Sequence, residues 1–218
     1  MKRLLNYPLS GNKKALKVVI LYTLIASSSV LIWSLATVKQ PVSQSLPTPE
    51  TEPCPLNGKK YNSNAKAQWE ERRPMGIMVE NLPDSRPQSG LSQADVIYEA
   101  LIEGGATRFL AIYYCQQPEI AGPVRSARTY FLDWISEYGS YPLYVHVGGA
   151  NTPGPANALG QIVTFGWSKF NDLNHHQVGF PTFWSDYDRL GKNVATEHVI
   201  YTSTIKAWQF AAKERGLR

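Results

Sequence analysis

The chain has 218 residues, with 22 Lys and Arg against 17 Asp and Glu, a formal net charge of +5 and a pI near 9.1. Five basic residues (Lys2, Arg3, Lys13, Lys14, Lys17) precede the first long apolar run and the first acidic residue is Glu50, so residues 18–218 carry 17 basic and 17 acidic side chains. A neutral body excludes nucleic-acid binding through a general basic surface, which needs many Lys and Arg on one face, and 43% hydrophobic with 11% aromatic residues excludes a disordered chain.

After the basic segment 1–17, residues 18–38 (VVILYTLIASSSVLIWSLATV) form an uncharged run of 21 residues. That is about the length a helix needs to cross a bilayer core of roughly 30 Å. Basic residues on its N-terminal side predict that everything after Lys39 lies outside the cytoplasm. A signal peptide cleaved after Ala36 is the competing reading, because Ser34 and Ala36 fit a small-x-small site. The length of the run favours a retained anchor, and both readings give the same address. No Cys stands near the run to carry a lipid.

Residues 39–53 (KQPVSQSLPTPETEP) hold four prolines among Ser, Thr and Gln, the composition of an extended linker. From residue 54 onward the chain reads as one domain. The two cysteines, Cys54 and Cys115, pair naturally as a disulfide in an oxidising compartment. Their spacing lacks the CxxC pair of a zinc site.

A short helix is predicted over 65–73, ending before Pro74. Residues 74–79 (PMGIMV) read as a buried strand. Over 94–103 apolar residues alternate, with Val96, Tyr98, Ala100 and Ile102 on one side and Ile97, Glu99, Leu101 and Glu103 on the other. A second apolar run, 108–115, follows Gly104-Gly105, so the pair predicts a hairpin. Helical spacing covers 126–138, with Ser126 as the expected cap and Gly139 as the stop. A strand is expected over 143–147, ending at Gly148-Gly149. The span 165–188 is aromatic and irregular, and 204–215 is a final helix closed by Gly216. Mixed strands and helices of this size predict a single mixed α/β (α+β) domain behind the N-terminal membrane helix or signal anchor.

The strings RPQSGLSQADVIYEALIEGGATRFLAIYY, GPVRSARTYFLDW and YVHVGGA resemble the YerB-like family of bacterial extracytoplasmic proteins, from about Cys54 to the C-terminus. The resemblance implies an envelope protein with a mixed α/β N-terminal domain and unknown molecular function. Family members often carry a lipid-attachment Cys, absent here, and usually continue into a second domain. The resemblance supplies no catalytic residues.

The densest polar constellation is Arg125-Ser126-Ala127-Arg128. At a helix start, two guanidinium groups, a hydroxyl and free backbone N–H groups suit a phosphate or carboxylate. Arg108 is expected beside them, with Glu99 and Glu103 as opposing carboxylates. The same groups, together with Asp133, also fit a purely structural ion-pair network. The order of Asp95, hairpin, Pro123-x-Arg125 and Gly148-Gly149 is similar to the LytR-CpsA-Psr phosphotransferases. That similarity implies pyrophosphate held by Arg108, Arg125 and Arg128, with a divalent metal on Asp95 or Glu99. Of the four histidines, adjacent His175 and His176 lack the i, i+4 geometry of a helical zinc site, while His146 and His198 are polar pocket candidates. The aromatics Trp167, Phe170, Phe180, Phe183, Trp184 and Tyr187, with Asn171, Asp172, Asn174 and Asp186, read either as a sugar-stacking groove or as a plug for an irregular core.

The sequence therefore predicts a tethered extracytoplasmic domain that binds a cell-wall glycan or anionic envelope component through the Arg125–Arg128 turn, with no cofactor. The alternative is a metal-assisted phosphotransferase acting on glycopolymer precursors.

Overall fold

The computed structural model describes residues 48–218 and, ahead of them, Tyr22 alone. The basic segment 1–17, the apolar run 18–38 and most of the linker lie outside the described residues. Among the described residues no helix is long and apolar enough to cross a membrane.

The strongest apolar stretches become a five-stranded sheet. Its members are β3 (Met75–Glu80), β4 (Val96–Leu101), β5 (Thr107–Tyr113), β6 (Leu143–His146) and β7 (Asp172–Asn174), in the order β4-β5-β3-β6-β7. The central strand β3 is buried along its whole length. It pairs antiparallel with β5 and parallel with β6, which in turn pairs parallel with β7.

Helices cover one face, α2 (Thr129–Ser136) and α3 (Ala158–Thr164). There Phe131, Leu132, Ile135 and Ile162 pack on Met78, Leu110, Ile112 and Tyr144. The other face is covered by α5 (Thr204–Arg215) and a small antiparallel pair, β8 (Phe183–Ser185) and β9 (Ile200–Thr202). Ala207, Trp208, Ala211 and Phe183 pack there on Met75, Ile77, Val79 and Tyr113. Two cores on two faces follow from the period-2 alternation of the central strands. Gly76 permits the α2 contact, because a Cβ there would meet Ile135 Cδ1 at 2.7 Å and Leu110 Cδ1 at 2.8 Å.

The expected hairpin is present, with the alternation of β4 reproduced as half-buried Val96, Tyr98 and Ala100 against exposed Ile97, Glu99 and Leu101. Its connection is longer than a Gly-Gly turn. Residues 102–106 close through the Ile102 N–H donating to Ala106 O at 2.8 Å, around the 3₁₀ turn Glu103–Gly105. The expected helix over 126–138 starts later, at Thr129, and Arg128 occupies its cap position without a side-chain cap bond. Ser126 is not the cap, because residues 124–127 are drawn into the sheet. The irregular aromatic span contains β7, the one-turn helix α4 (His175–Val178) and β8. The polar sequence Asp172-Leu173-Asn174 gave no periodic signal for a strand.

At the start of the domain, β1 (Glu52–Pro53) and β2 (Lys60–Tyr61) form a two-residue ladder, followed by α1 (Ser63–Glu70). Cys54 and Cys115 are joined, with Cα atoms 6.0 Å apart, and pack with Trp69 in a third small cluster. The Asp95 carboxylate closes this end of the hairpin by accepting from the N–H groups of Tyr114 (2.6 Å) and Cys115 (2.8 Å) and from Asn57 Nδ2 (2.9 Å).

The disulfide bridges a sequence separation of 61 residues, for which chain entropy assigns about 4 kcal/mol. Replacing both cysteines by Ala is expected to lower the Tm by about 10 °C in scanning calorimetry. A fall below about 2 °C would show that the clamp contributes little.

Candidate functional site

The parallel strands β3, β6 and β7 end together, at Glu80, His146 and Asn174, and β5 begins at the same edge with Arg108 opposite Glu80. Carboxyl edges of parallel strands are where open α/β sheets commonly place ligands. In this protein the edge is opened by insertion. β3 and β6 pair directly only from Met75–Leu143 to Ile77–Val145. Beyond that point residues 123–127 run between them. Glu80 N donates to Pro123 O (3.0 Å), Arg125 N to Met78 O (2.9 Å), Val147 N to Arg125 O (3.0 Å) and Ala127 N to Gly148 O (3.0 Å). The backbone N–H groups of Arg125 and Ala127 are thus consumed by the sheet, so the anion cradle expected from a helix start at Arg125 does not form. What the insertion delivers instead is side chains.

Three guanidinium groups meet there. Arg125 Nε lies 3.3 Å from Glu80 Oε1, and Arg125 Nη1 donates to Glu197 O at 3.2 Å. Arg108, only 3% exposed, donates from Nη1 to Ser126 O at 2.9 Å. Ser126 therefore contributes its carbonyl. Arg128 forms a fork on Glu103, with Nε at 2.8 Å and Nη2 at 2.7 Å, and also donates to Ala127 O. Glu80 is 1% exposed and its Oε2 accepts from His198 Nδ1 at 2.7 Å. The Nε groups of Arg108 and Arg125 and the Oε1 of Glu80 make no hydrogen bond within the protein. The ion pair between Arg125 and Glu80 is close but not aligned for one.

The electrostatics follow from this crowding. Burial, then repulsion from Arg128 and Arg125, lowers the pKa of Arg108 to about 10 against the attraction of Glu80 and Glu103. The hydrogen bonds from Arg128 hold the Glu103 carboxyl below its ordinary value. Glu103 is nevertheless the outer partner, with a side chain 69% exposed against 17% for Arg128. It sits on the Gly104-Gly105 connection, whereas the arginines rise from the sheet and the inserted segment.

The remaining sequence candidates separate. Asp95 sits at the disulfide end of β5, about 20 Å from Arg108 at roughly 3.4 Å per residue, so it does not join the arginines. Glu99 is on the opposite face of the hairpin, accepting from Thr107 Oγ1 (2.6 Å) and Asn81 Nδ2 (3.0 Å). His146 is fully buried on the α2 face. Its Nδ1 lies 2.6 Å from Gly148 O and its Nε2 lies 2.5 Å from Asp172 Oδ1, so neither nitrogen is free for substrate. It fixes the Gly148 turn together with Asn174, whose Oδ1 accepts from Gly148 N. His198 is the one histidine candidate in contact with the cluster, through Glu80. Among the aromatics, Trp167 is buried on the α2 face and Phe183 on the other, while Phe180 and Tyr187 are exposed. They do not assemble into one sugar-stacking groove.

Among the described residues the close group of potential metal ligands is Cys54, Asp95 and Cys115, and its sulfurs are already bonded to each other. That donor set does not fit a metal. Separate from the arginines, which do not line it, a polar cleft of about 530 Å³ lies between α2 and α3, lined by Thr129, Asp133, Asn157 and Gln161. The sequence reading missed Glu80 as a site residue, although a lone carboxylate ending a five-residue apolar run was a visible signal. It also missed the pairing of Asp172 with His146, which needs the sheet to be known.

Glu80 neutralises a buried arrangement that contains two arginines and a histidine. Glu80→Gln is expected to destabilise the domain by about 3 kcal/mol, because removing one partner leaves buried charge uncompensated. Urea unfolding checks this, and an unchanged midpoint would contradict it.

Residues 62–218 match the family model described as "Protein of unknown function (DUF3048) N-terminal domain". Over 95 residues the chain is 50% identical to "Putative lipoprotein YerB" of Bacillus subtilis (strain 168), covering 44% of this chain and 27% of that one. The crystal structure of the YerB protein from Bacillus subtilis matches with a TM-score of 0.62 at 36% identity, over 77% of this chain and 51% of the other. The chain thus spans about half of that solved relative. The match over 62–218 leads to one assignment: the chain, itself similar to YerB, belongs to the family of the DUF3048 N-terminal domain.

Proposed function

We propose that this chain is an extracytoplasmic envelope protein, held at the membrane through residues 18–38, whose carboxyl-edge arginines bind an acidic group of an envelope component. The lipoprotein in the relative's name and the basic residues before the apolar run support the location.

The observation that carries the binding role is the imbalance at the sheet edge. Three guanidinium groups, Arg108, Arg125 and Arg128, face two carboxylates, Glu80 and Glu103. A structural network would gain from neutralising Arg108 directly. Instead Arg108 is buried among like charges and spends a hydrogen bond on a carbonyl. Buried cations held against repulsion are a mark of functional sites. Guanidinium forks select carboxylate and phosphate by geometry. The fork of Arg128 is filled by a carboxylate that is itself largely exposed, and an incoming acidic group satisfies the same donors when Glu103 swings away. An acidic ligand is favoured over a neutral glycan because the groups gathered at the edge are guanidinium donors, while the aromatics of 167–187 are not gathered beside them.

Retention of the full chain on immobilised polyphosphate and polygalacturonate, with dextran as the neutral control, tests this reading. Arg128→Gln is expected to weaken retention about tenfold, the loss of a charge-assisted pair, and Glu103→Gln to strengthen it by removing the internal competitor. Both residues reach solvent, so the fold should persist by circular dichroism. Equal retention on dextran, or retention unaltered in Arg128→Gln, would refute the role. The two acidic matrices separate a phosphate preference from a carboxylate preference.

A further inference from the structure

A second feature lies away from the arginines, where α5 runs beside the loop that precedes β8. Along α5, Lys206, Gln209, Phe210 and Lys213 recur at helical spacing and share one side. With Pro181 and Thr182 they line a shallow groove of about 270 Å³. Its floor is apolar, made of the Pro181 ring, the half-buried Phe210 and the lysine stems. Lys206 lies over the Trp184 ring, 4.8 Å from its centroid, and Arg215 over Phe210 at 5.6 Å.

At the rim, Phe180 is 82% exposed. It is not on a loose tail. Gly179 N donates to His175 O at 2.9 Å, and Phe183 N donates to Gly179 O at 3.0 Å, which closes the loop on both sides of Phe180. Gly179 adopts φ 63° and ψ −158°, a conformation that side-chain-bearing residues avoid. The backbone is therefore built to hold a large aromatic ring out in water, next to a groove flanked by cations.

We propose that this face rests on an anionic lipid surface, with Phe180 entering the headgroup layer and Lys206 and Lys213 reaching the phosphates. Charge complementarity selects this occupant. In the groove wall Lys206 and Lys213 outnumber the single acidic residue, Glu214, whose contact with Lys213 is an exposed neighbour pair that holds it weakly. Shape selects it too. A peptide groove keeps its anchoring pockets concave, whereas here the most exposed apolar group stands outside the groove, as in interfacial anchoring. Long lysine stems lie along apolar surface while their heads stay at the phosphate level. The proposal is independent of the arginine cluster.

The test is acetylation footprinting of the full chain in nanodiscs of phosphatidylcholine alone or with phosphatidylglycerol, read by mass spectrometry at individual lysines. The local readout makes it indifferent to whatever else holds the chain in the disc. Lys206 and Lys213 are expected to react about fivefold more slowly in the anionic discs, from about 1 kcal/mol per basic residue, while exposed Lys59 and Lys192 keep their rates. Phe180→Ser, a change at an exposed side chain, is expected to return Lys206 and Lys213 to their rates in neutral lipid. Equal rates in the two lipids would overturn the proposal. So would protection of Lys59 and Lys192 to the same extent, or protection of Lys206 and Lys213 in neutral discs only when a soluble apolar peptide is added.

Discussion

The structure depends on one buried carboxylate. Glu80 ends the central strand at the point where residues 123–127 separate β3 from β6, and it meets Arg125 and His198 where water is excluded. Without that charge Arg125 would keep the Glu197 carbonyl but lose its carboxylate partner, and its buried Nε would be left uncompensated, at a cost of several kcal/mol. With it, a single extended segment completes the backbone hydrogen bonding of two strands and carries Arg125, the Ser126 carbonyl and Arg128 to the same edge. The same residues that close the fold assemble the site.

Residues 18–218 are neutral overall, yet three guanidinium groups and two carboxylates gather at one sheet edge. The basic excess of the whole chain belongs to its first 17 residues, and the body gathers charge locally. Arg108 has the lowest exposure of the three arginines and the weakest claim on a carboxylate, while Arg128 has a carboxylate that faces solvent. The arrangement is graded from a pair with a buried carboxylate, Glu80 with Arg125, to a pair with an exposed one, Glu103 with Arg128. Low dielectric strengthens the inner contacts and leaves the outer one sensitive to competing anions and to salt.

Much of this was legible in the sequence where periodicity was strong. The strand over 75–80, the alternation of β4, the β5 run, the final helix and the Cys54–Cys115 link all follow from apolar spacing and cysteine count. The gathering of Arg108, Arg125 and Arg128 was also expected from their neighbouring elements. What sequence reasoning missed depends on long-range backbone pairing. Ser126 looked like a helix cap because local spacing favours a helix, but the Arg125 N–H is drawn to Met78 O and the Ala127 N–H to Gly148 O, so the helix begins only at Thr129. Asp95 has the chemistry of a metal ligand, yet it is spent on the N–H groups of Tyr114 and Cys115 at the far end of the hairpin. The aromatic cluster was contiguous in sequence only, because the span folds through turns, β7, α4 and β8, which put Trp167 in one core and Phe183 in the other and leave Phe180 and Tyr187 exposed.

Binding at the sheet edge requires that an external anion reach Arg128 despite its internal partner and be felt by the buried Arg108 behind it. Selective ¹⁵N-arginine NMR of the full chain, following the Nε–Hε resonances during titration with inorganic phosphate at constant ionic strength, tests it most directly. Saturable shifts are expected at Arg128 and Arg108, with resonances of arginines such as Arg72 and Arg189 unmoved. Shifts spread evenly over all arginines, or none at Arg128 and Arg108, would contradict it and leave the cluster as a scaffold alone.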